Sequence, residues 1–419
     1  MDKTALLKQF GFLPNILVFF FGFNSYGQTT VDSSYSSTDD LNKATPQKKE
    51  WNFFNTRYTT IRLGGGFLYD AVTHIQDETS KEQVDCEPAH KTRDARITVN
   101  GNLKTRREFS WRFGYMYDGV SDKWFVRESG LMIGLPELSG KIFIGRTKES
   151  FSMNKVMVGY AGWTMERQVG IDVIPILADG IKYLAYYPKQ KLFLNLGVFS
   201  DYTSKKQSFS TYRWQAVMRF GGLPIYSEDQ KKVMHVAVNL RYGQPEDGEI
   251  RLRSRPESNP SPYFMDTGLF PSNQSFHYGL EAYYSSGTWM MGGEYSLHQF
   301  ASHDSGNPLF HGGEWMISHI FTGESRTYNP GTAIYGFVPV KRSVFKGGTG
   351  AIELVVRITN QDLNSGKITG GNFWRFTPTL NWYLSTNIRL ELVYGYAALQ
   401  RFGKTGYTQF FQSRLQFTL

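Results

Sequence analysis

Three things are scarce in this chain of 419 residues, and each scarcity excludes a class of protein. Cysteine is one: Cys86 stands alone, so there is no intrachain disulfide and no thiolate-rich metal site. Apolar runs are another. The mean hydropathy is −0.38, whereas a helical membrane bundle needs repeated apolar stretches of about 20 residues. Recognisable catalytic patterns are the third. The eight histidines form no H-E-x-x-H pair, and His298, His303 and His311 only surround one expected loop without ligand spacing. There is no G-x-S-x-G elbow. Gly348-Thr349-Gly350 lacks a third spaced glycine and opens an expected strand, so it is no dinucleotide loop. Neither an enzyme nor a bound metal or cofactor is expected.

What is abundant points elsewhere. Aromatic residues make up 16% of the chain (32 Phe, 25 Tyr, 9 Trp) and glycine contributes 42 positions. That excludes disorder for most of the chain and suggests many strands joined by turns. The formal net charge is +9. A basic balance suits nucleic acid, an anionic membrane or small anions, and the placement of the charges must decide.

The first residues read as an export signal. Lys3 and Lys8 precede the apolar run Phe10 to Phe23, and Ser25-Tyr26-Gly27 offers small residues at a cleavage site before Gln28. A membrane anchor is the competing reading, but the run is short for a span. Residues 1–27 are therefore expected to be a signal peptide. Residues 28–57, polar in most positions, are expected to be a flexible periplasmic lead-in, and 58–419 the folded domain.

From about Tyr58 onward the hydrophobic period is two. In Phe109-Ser110-Trp111-Arg112-Phe113-Gly114-Tyr115-Met116-Tyr117 every odd position is aromatic. Ile388, Leu390, Leu392, Tyr394 and Tyr396 likewise oppose Arg389, Glu391, Val393 and Gly395. Such segments recur near 60–69, 95–104, 109–118, 124–135, 141–148, 179–187, 191–200, 211–220, 233–243, 275–285, 288–299, 311–322, 350–360, 372–384, 387–397 and 408–419. A further candidate, 250–258, carries Pro256 and no apolar face, so it is expected to be loop. A soluble β-sandwich would also alternate. However, many segments have the roughly 10 residues a tilted strand needs to cross a bilayer, and Tyr, Trp and Phe crowd their ends. The expected fold is all-β: a transmembrane antiparallel β-barrel of sixteen strands with both termini on the periplasmic side.

Connections alternate in length. Long ones are expected at 70–94, 149–178 and 244–274, and tight ones at Lys104–Glu108, Pro136–Gly140, Pro188–Gln190, Ser285–Thr288 and Ser385–Asn387. The stretch Gly323 to Thr349 is long on the short-turn side and is expected to fold into the lumen.

Several runs in this order resemble the phosphate-selective porin O and P family. They are Asp70 with Arg93-Asp94-Ala95-Arg96; Phe143 through Ser152 followed by Met165-Glu166-Arg167; Arg251 through Glu257 followed by Asp266-Thr267-Gly268; Phe321 through Tyr328; and Asn381-Trp382-Tyr383-Leu384. The resemblance covers most of the chain after the leader. It implies an outer-membrane porin, sixteen-stranded and trimeric, whose third and fifth loops and a periplasmic segment narrow an Arg- and Lys-lined pore.

Alternation assigns the faces independently of any resemblance. Opposite the apolar faces lie Arg96, Arg112, Arg213, Arg219, Arg241, Arg357, Arg375, Arg389 and Arg414, against Glu281, Glu294, Glu353 and Glu391. These arginines are expected to line the lumen, about half of them paired with lumen carboxylates. Candidate constriction residues are Lys148, Lys155 and Arg167 in the third loop and Arg251, Arg253 and Arg255 in the fifth. Arg326, Lys341, Arg342 and Lys346 mark the periplasmic segment. Basic and aromatic residues sit on opposite strand faces, which argues against nucleic acid. The expected function is passive passage of small anions such as phosphate or polyphosphate across the outer membrane of a Gram-negative bacterium, with lipid and sister subunits as partners. The alternative is a barrel that captures a specific ligand without general diffusion.

Overall fold

The computed structural model describes residues 51–419 other than Val120, residues 204–211, Glu228 and Gln230. The expected signal peptide and most of the expected lead-in lie outside the described residues.

The wall consists of β1 (Thr60–Gln76), β2 (Ala89–Asn102), β3 (Phe109–Asp118), β4 in two pieces (Lys123–Val126 and Ser129–Leu135), β5 (Gly140–Thr147), β6 (Ala178–Tyr187), β7 (Leu192–Ser200) and β8 (Tyr212–Tyr226). It continues through β9 (Lys232–Pro245), β10 (Gln274–Ser286), β11 (Trp289–Ala301), β12 (Leu309–Ile320), β13 (Ala351–Ser365), β14 (Ile368–Tyr383), β15 (Ile388–Arg401) and β16 (Lys404–Thr418). Each strand pairs antiparallel with the next. β16 returns to β1 from Gly66↔Thr418 to Gln76↔Thr408, closing a barrel of 16 strands. Closure leaves no unpaired backbone edge facing lipid. Each of the sixteen expected segments overlaps one of these strands, in order.

Two expectations need correction. Phe53–Asn55, inside the expected lead-in, pairs with Thr60–Arg62, so ordered structure begins before Tyr58. Glu249–Ser254, expected to be loop, is a strand paired with Met265–Pro271 outside the wall. Ile250 and Leu252 form its apolar face, and both are buried.

The alternation divides the wall cleanly. Leu280, Trp315, Leu392, Ile97 and Val238 point out and are exposed, while Glu281, Glu314, Glu391 and Ala237 beside them are buried. The exposed row is the apolar belt a membrane barrel requires. The buried row is the lumen face, and it is buried because chain fills much of the lumen.

Three segments do the filling. The loop 148–177 between β5 and β6 crosses the lumen. The 246–273 loop folds its hairpin over the mouth at the same end, burying Ile250, Leu252, Phe264 and Phe270 against Phe300, Phe310, Phe373 and Phe410. The long connection 321–350 enters from the turn end, as expected. Its hairpin, Tyr328–Asn329 paired with Ile334–Tyr335, places Ala333 and Tyr335 at 0% exposure.

Candidate functional site

The loop 148–177 fixes the geometry of the passage. It starts with a short helix, Met153–Val156, whose N-cap Ser152 accepts from the Lys155 amide. Met153, Met157 and Trp163 then pack on Tyr283, Met290, Met316 and Val355 of the wall. A loop buried in this way must have its carbonyls satisfied. Side chains of the wall and of the 321–350 connection do this almost residue by residue. Gln416 donates to the Tyr160 carbonyl at 3.0 Å, Arg326 to Ala161 at 2.8 Å and Arg389 to Gly162 at 2.7 Å. Asn381 donates to Trp163 at 2.8 Å, Arg414 to Met165, and Arg357 to Glu166 at 3.1 Å.

The same arginines are ion-paired. Arg219 grips Glu281 at 2.7 Å, Arg241 meets Glu149 at 2.8 Å, and Arg357 meets Glu257 at 2.6 Å. Arg389 meets Glu391 at 2.7 Å and Arg414 meets Asp70 at 2.6 Å. Arg96 pairs with Asp94, and Arg112 with Glu128 at 3.0 Å. Seven of the nine expected lumen arginines thus have a carboxylate partner, more than the expected half. Arg375 instead donates to the Pro256 carbonyl and to Gln412, with its guanidinium 4.6 Å from the Phe410 ring centre. Arg213 corrects the expectation. The register shifts between Tyr212 and Trp214, Tyr212 takes the inward position, and Arg213 is exposed, donating to the Glu246 carbonyl at 3.3 Å. It does not line the lumen.

Open space remains on the other side, between the loop and β1–β4. This cavity, of about 70 Å³, is lined by Arg93, Arg96, Arg127, Arg167 and Arg414, with Asp94 and Glu166. Two of these arginines were not expected from the sequence. Arg93 is the extra residue at a bulge, since Leu68 pairs with Asp94 and Tyr69 with Thr92. Arg127 stands where β4 breaks. Tyr115 pairs with Val126 and Arg112 with Gly130, so Phe113 and Gly114 face three residues, Arg127, Glu128 and Ser129. A bulge puts two neighbours on one face, and here it delivers Arg93 with Asp94, and Arg127 with Glu128, to the lumen.

Of the six expected constriction residues, only Arg167 lines this cavity. Its Nε donates to the Asn154 carbonyl at 2.7 Å and its Nη2 to Met157 at 3.3 Å. Burial, and then the neighbouring arginines 127, 93 and 96 against the pull of Glu166, bring its pKa down to about 10, so it stays charged near neutrality. Lys148 lies just behind, pinned to the Met157 carbonyl and 3.8 Å from Glu128. Lys155 is fully buried against Glu149 at 3.0 Å. Arg251, Arg253 and Arg255 do not line the cavity. Arg251 pairs with Asp266 at 2.5 Å. Arg253 and Arg255 lie 4.4 and 4.0 Å from the Tyr263 ring centre. Arg326 is committed to Glu353 at 2.8 Å, Lys341 donates to the Gly323 carbonyl at 2.5 Å, Arg342 to the Lys346 carbonyl at 3.4 Å, and Lys346 is exposed at the turn end.

One more side chain shapes the opening. Tyr160 donates to Asp94 at 2.9 Å, and the Arg96 guanidinium sits 4.1 Å from its ring centre. The ring fits because residue 66 is glycine: a Cβ there would lie 2.2 Å from the ring.

Comparison with known proteins places this architecture. The sequence model of the family described as phosphate-selective porin O and P matches residues 61–419. An uncharacterised protein of Caulobacter vibrioides is 32% identical over 151 residues, 36% of this chain and 30% of that protein, so the match spans less than a third of its length. Among solved structures, the outer-membrane channel DcaP of Acinetobacter baumannii aligns with a TM-score of 0.56 at 9% identity, over 87% of this chain and 99% of that one. The anion-selective porin from Comamonas acidovorans aligns at 0.53 and 11% identity, over 86% and 100%. OmpT of Vibrio cholerae, in its trimer form, aligns at 0.53 and 10% identity, over 86% and 99%. Identities this low speak for the fold alone.

Proposed function

The chain belongs to the phosphate-selective porin O and P family, and on that premise we propose that it passes small anions, with phosphate and polyphosphate as family-suggested solutes. It is a β-barrel channel of the Gram-negative outer membrane rather than an enzyme. The observation that carries the anion reading is the cluster Arg96, Arg127 and Arg167 around one cavity, with Lys148 behind it. Asp94 and Glu128 are the carboxylates paired with these four cations. A narrow water-filled passage between low-dielectric walls concentrates such a field and enriches anions.

The test is the reversal potential of single channels under a salt gradient. Anion selectivity that weakens as salt rises is expected, because screening shortens to about 3 Å at 1 M. Cation selectivity at low salt would overturn the reading.

A second reading draws on the filling of the lumen by three segments: a barrel that captures one ligand with little general diffusion. Steady open channels in planar bilayers argue for the first reading, and silence for the second. We also propose a homotrimer, in line with the trimer form of the Vibrio cholerae relative. Cross-linking in detergent that stops at a monomer would refute it.

A further inference from the structure

The loop 148–177 carries six charged side chains, and five of them are engaged. Lys148 donates to the Met157 carbonyl. Glu149 holds Lys155 and Arg241, and Glu166 holds Arg93 and Arg414. Arg167 donates to the carbonyls of Asn154 and Met157. The sixth is Asp172. Its carboxylate has no partner among the described residues. It is also exposed, as only Val158 is besides it in the whole of this loop.

Local folding leaves it in that position. Gln168 caps the single helical turn Val169–Ile171, and the Asp172 amide closes that turn on the Val169 carbonyl at 3.0 Å. Val169, Val173 and Ile174 pack into one cluster with Phe300 and Phe310 of the wall. With Ile171 and Val173 buried on either side, the side chain between them is left to water. The charges that act on it belong to both narrowing loops: Glu166 and Arg167 of its own, and Glu257 and Arg255 of 246–273. The water it meets is hemmed in by protein, which makes a charge there costly. That enclosure, and then Glu166 and Glu257, push its pKa up to about 8 against the pull of Arg255 and Arg167.

We propose that Asp172 is a selectivity-determining residue of the channel: as an ionised carboxylate it holds anion passage back, and on protonation it releases it. The inference rests on the anion reading above. A negative charge beside Arg167 and Arg255 cancels part of the field that draws anions in, and it attracts the cations that those arginines repel. Anion preference is therefore full at pH 6.5, where the group is neutral, and reduced at pH 9.5, where it is charged.

The experiment measures reversal potentials of the full barrel in planar bilayers, under a dilute potassium chloride gradient, at pH 6.5 and pH 9.5. Chloride serves as the anion because its own charge does not change with pH. The anion-to-cation permeability ratio of Asp172→Asn should match that of the unaltered channel at pH 6.5 and exceed it about fivefold at pH 9.5. That is the size expected of one unit charge several ångströms away in water, acting oppositely on the two ions. Asp172→Glu keeps the carboxylate and should keep the fall with pH. Lys148, whose amine burial brings well below its ordinary value, contributes a fall common to all three channels, which cancels in the comparison. Equal ratios for Asp172→Asn and the unaltered channel at pH 9.5 overturn the proposal. So does a difference as large at pH 6.5 as at pH 9.5. Cation preference of the unaltered channel at pH 6.5 overturns the anion reading instead.

Discussion

The lumen has two walls built from the same residue type to different ends. On the side of β8–β15, arginines are buried, each locked to a carboxylate or carbonyl, and they hold foreign chain against the wall. On the side of β1–β4, Arg96, Arg127 and Arg167 stand beside open space, and each, though paired, keeps a terminal nitrogen without a partner among the described residues. Counting arginines therefore says little about a pore. What matters is whether a carboxylate or a carbonyl has already claimed them. A buried pair adds little net stability, but leaving one partner behind is costly. A guanidinium with a nitrogen to spare beside open space also acts on whatever passes.

That contrast orders the expected mutational effects. The largest falls on the filled side. Arg357→Ala leaves Glu257 and Glu314 buried without their cation and frees the Glu166 carbonyl. It should cost about 3–5 kcal/mol, read as a lower midpoint of heat modifiability, and channel conductance should rise as the loop loosens. A normal midpoint would show that the buried pairs do not brace the loop. Next comes the seam between the two sides. Gly66→Ala drives a Cβ into Tyr160 and should cost about 1–3 kcal/mol by overpacking. It should also alter anion selectivity, because Arg96 loses its ring.

On the open side, Arg127→Ser with Arg167→Ser should assemble with a smaller drop in midpoint than Arg357→Ala, because Glu128 keeps Arg112 at 3.0 Å and Lys148 at 3.8 Å, yet lower the anion-to-cation permeability ratio several-fold at low salt. A loss of assembly would erase the distinction between the walls. The smallest effect is expected from changing Arg251, Arg253 and Arg255 together to serine. Their guanidiniums are spent on Asp266 and Tyr263, so selectivity should move little. A shift as large as that of the open-side pair would move the selectivity filter to the fifth loop.

The strands were legible in the sequence because a membrane wall imposes a strict period of two on exposed carbon. Leu280 and Glu281, or Leu392 and Glu391, advertise their faces directly. The period fails wherever a residue is inserted, and the insertions fall at the site. Arg93 and Arg127 escaped notice because bulges break the count beside them, and Arg213 was misplaced for the same reason. Pairing was illegible for another reason. Glu149, Glu166 and Glu257 come from loops, so strand alternation cannot show that they neutralise Arg241, Arg414 and Arg357. Pro256 hid the Glu249–Ser254 strand, although it lies just past that strand's end.

The six carbonyls of the inner loop held by side chains from later in the chain also bear on how the channel is made. Their donors lie 165 to 256 residues further along the chain, most of them on the last four strands. During synthesis the loop is completed long before the side chains that hold it exist. A barrel missing β15 and β16 could pair most of its wall, yet the Tyr160, Gly162 and Met165 carbonyls would lack their donors. The bore of the channel is thus set at the end of assembly, by the same strands that seal the cylinder, and a long-range step of this kind is intrinsically slow. An assembly intermediate trapped before that seam closes would be the leaky one.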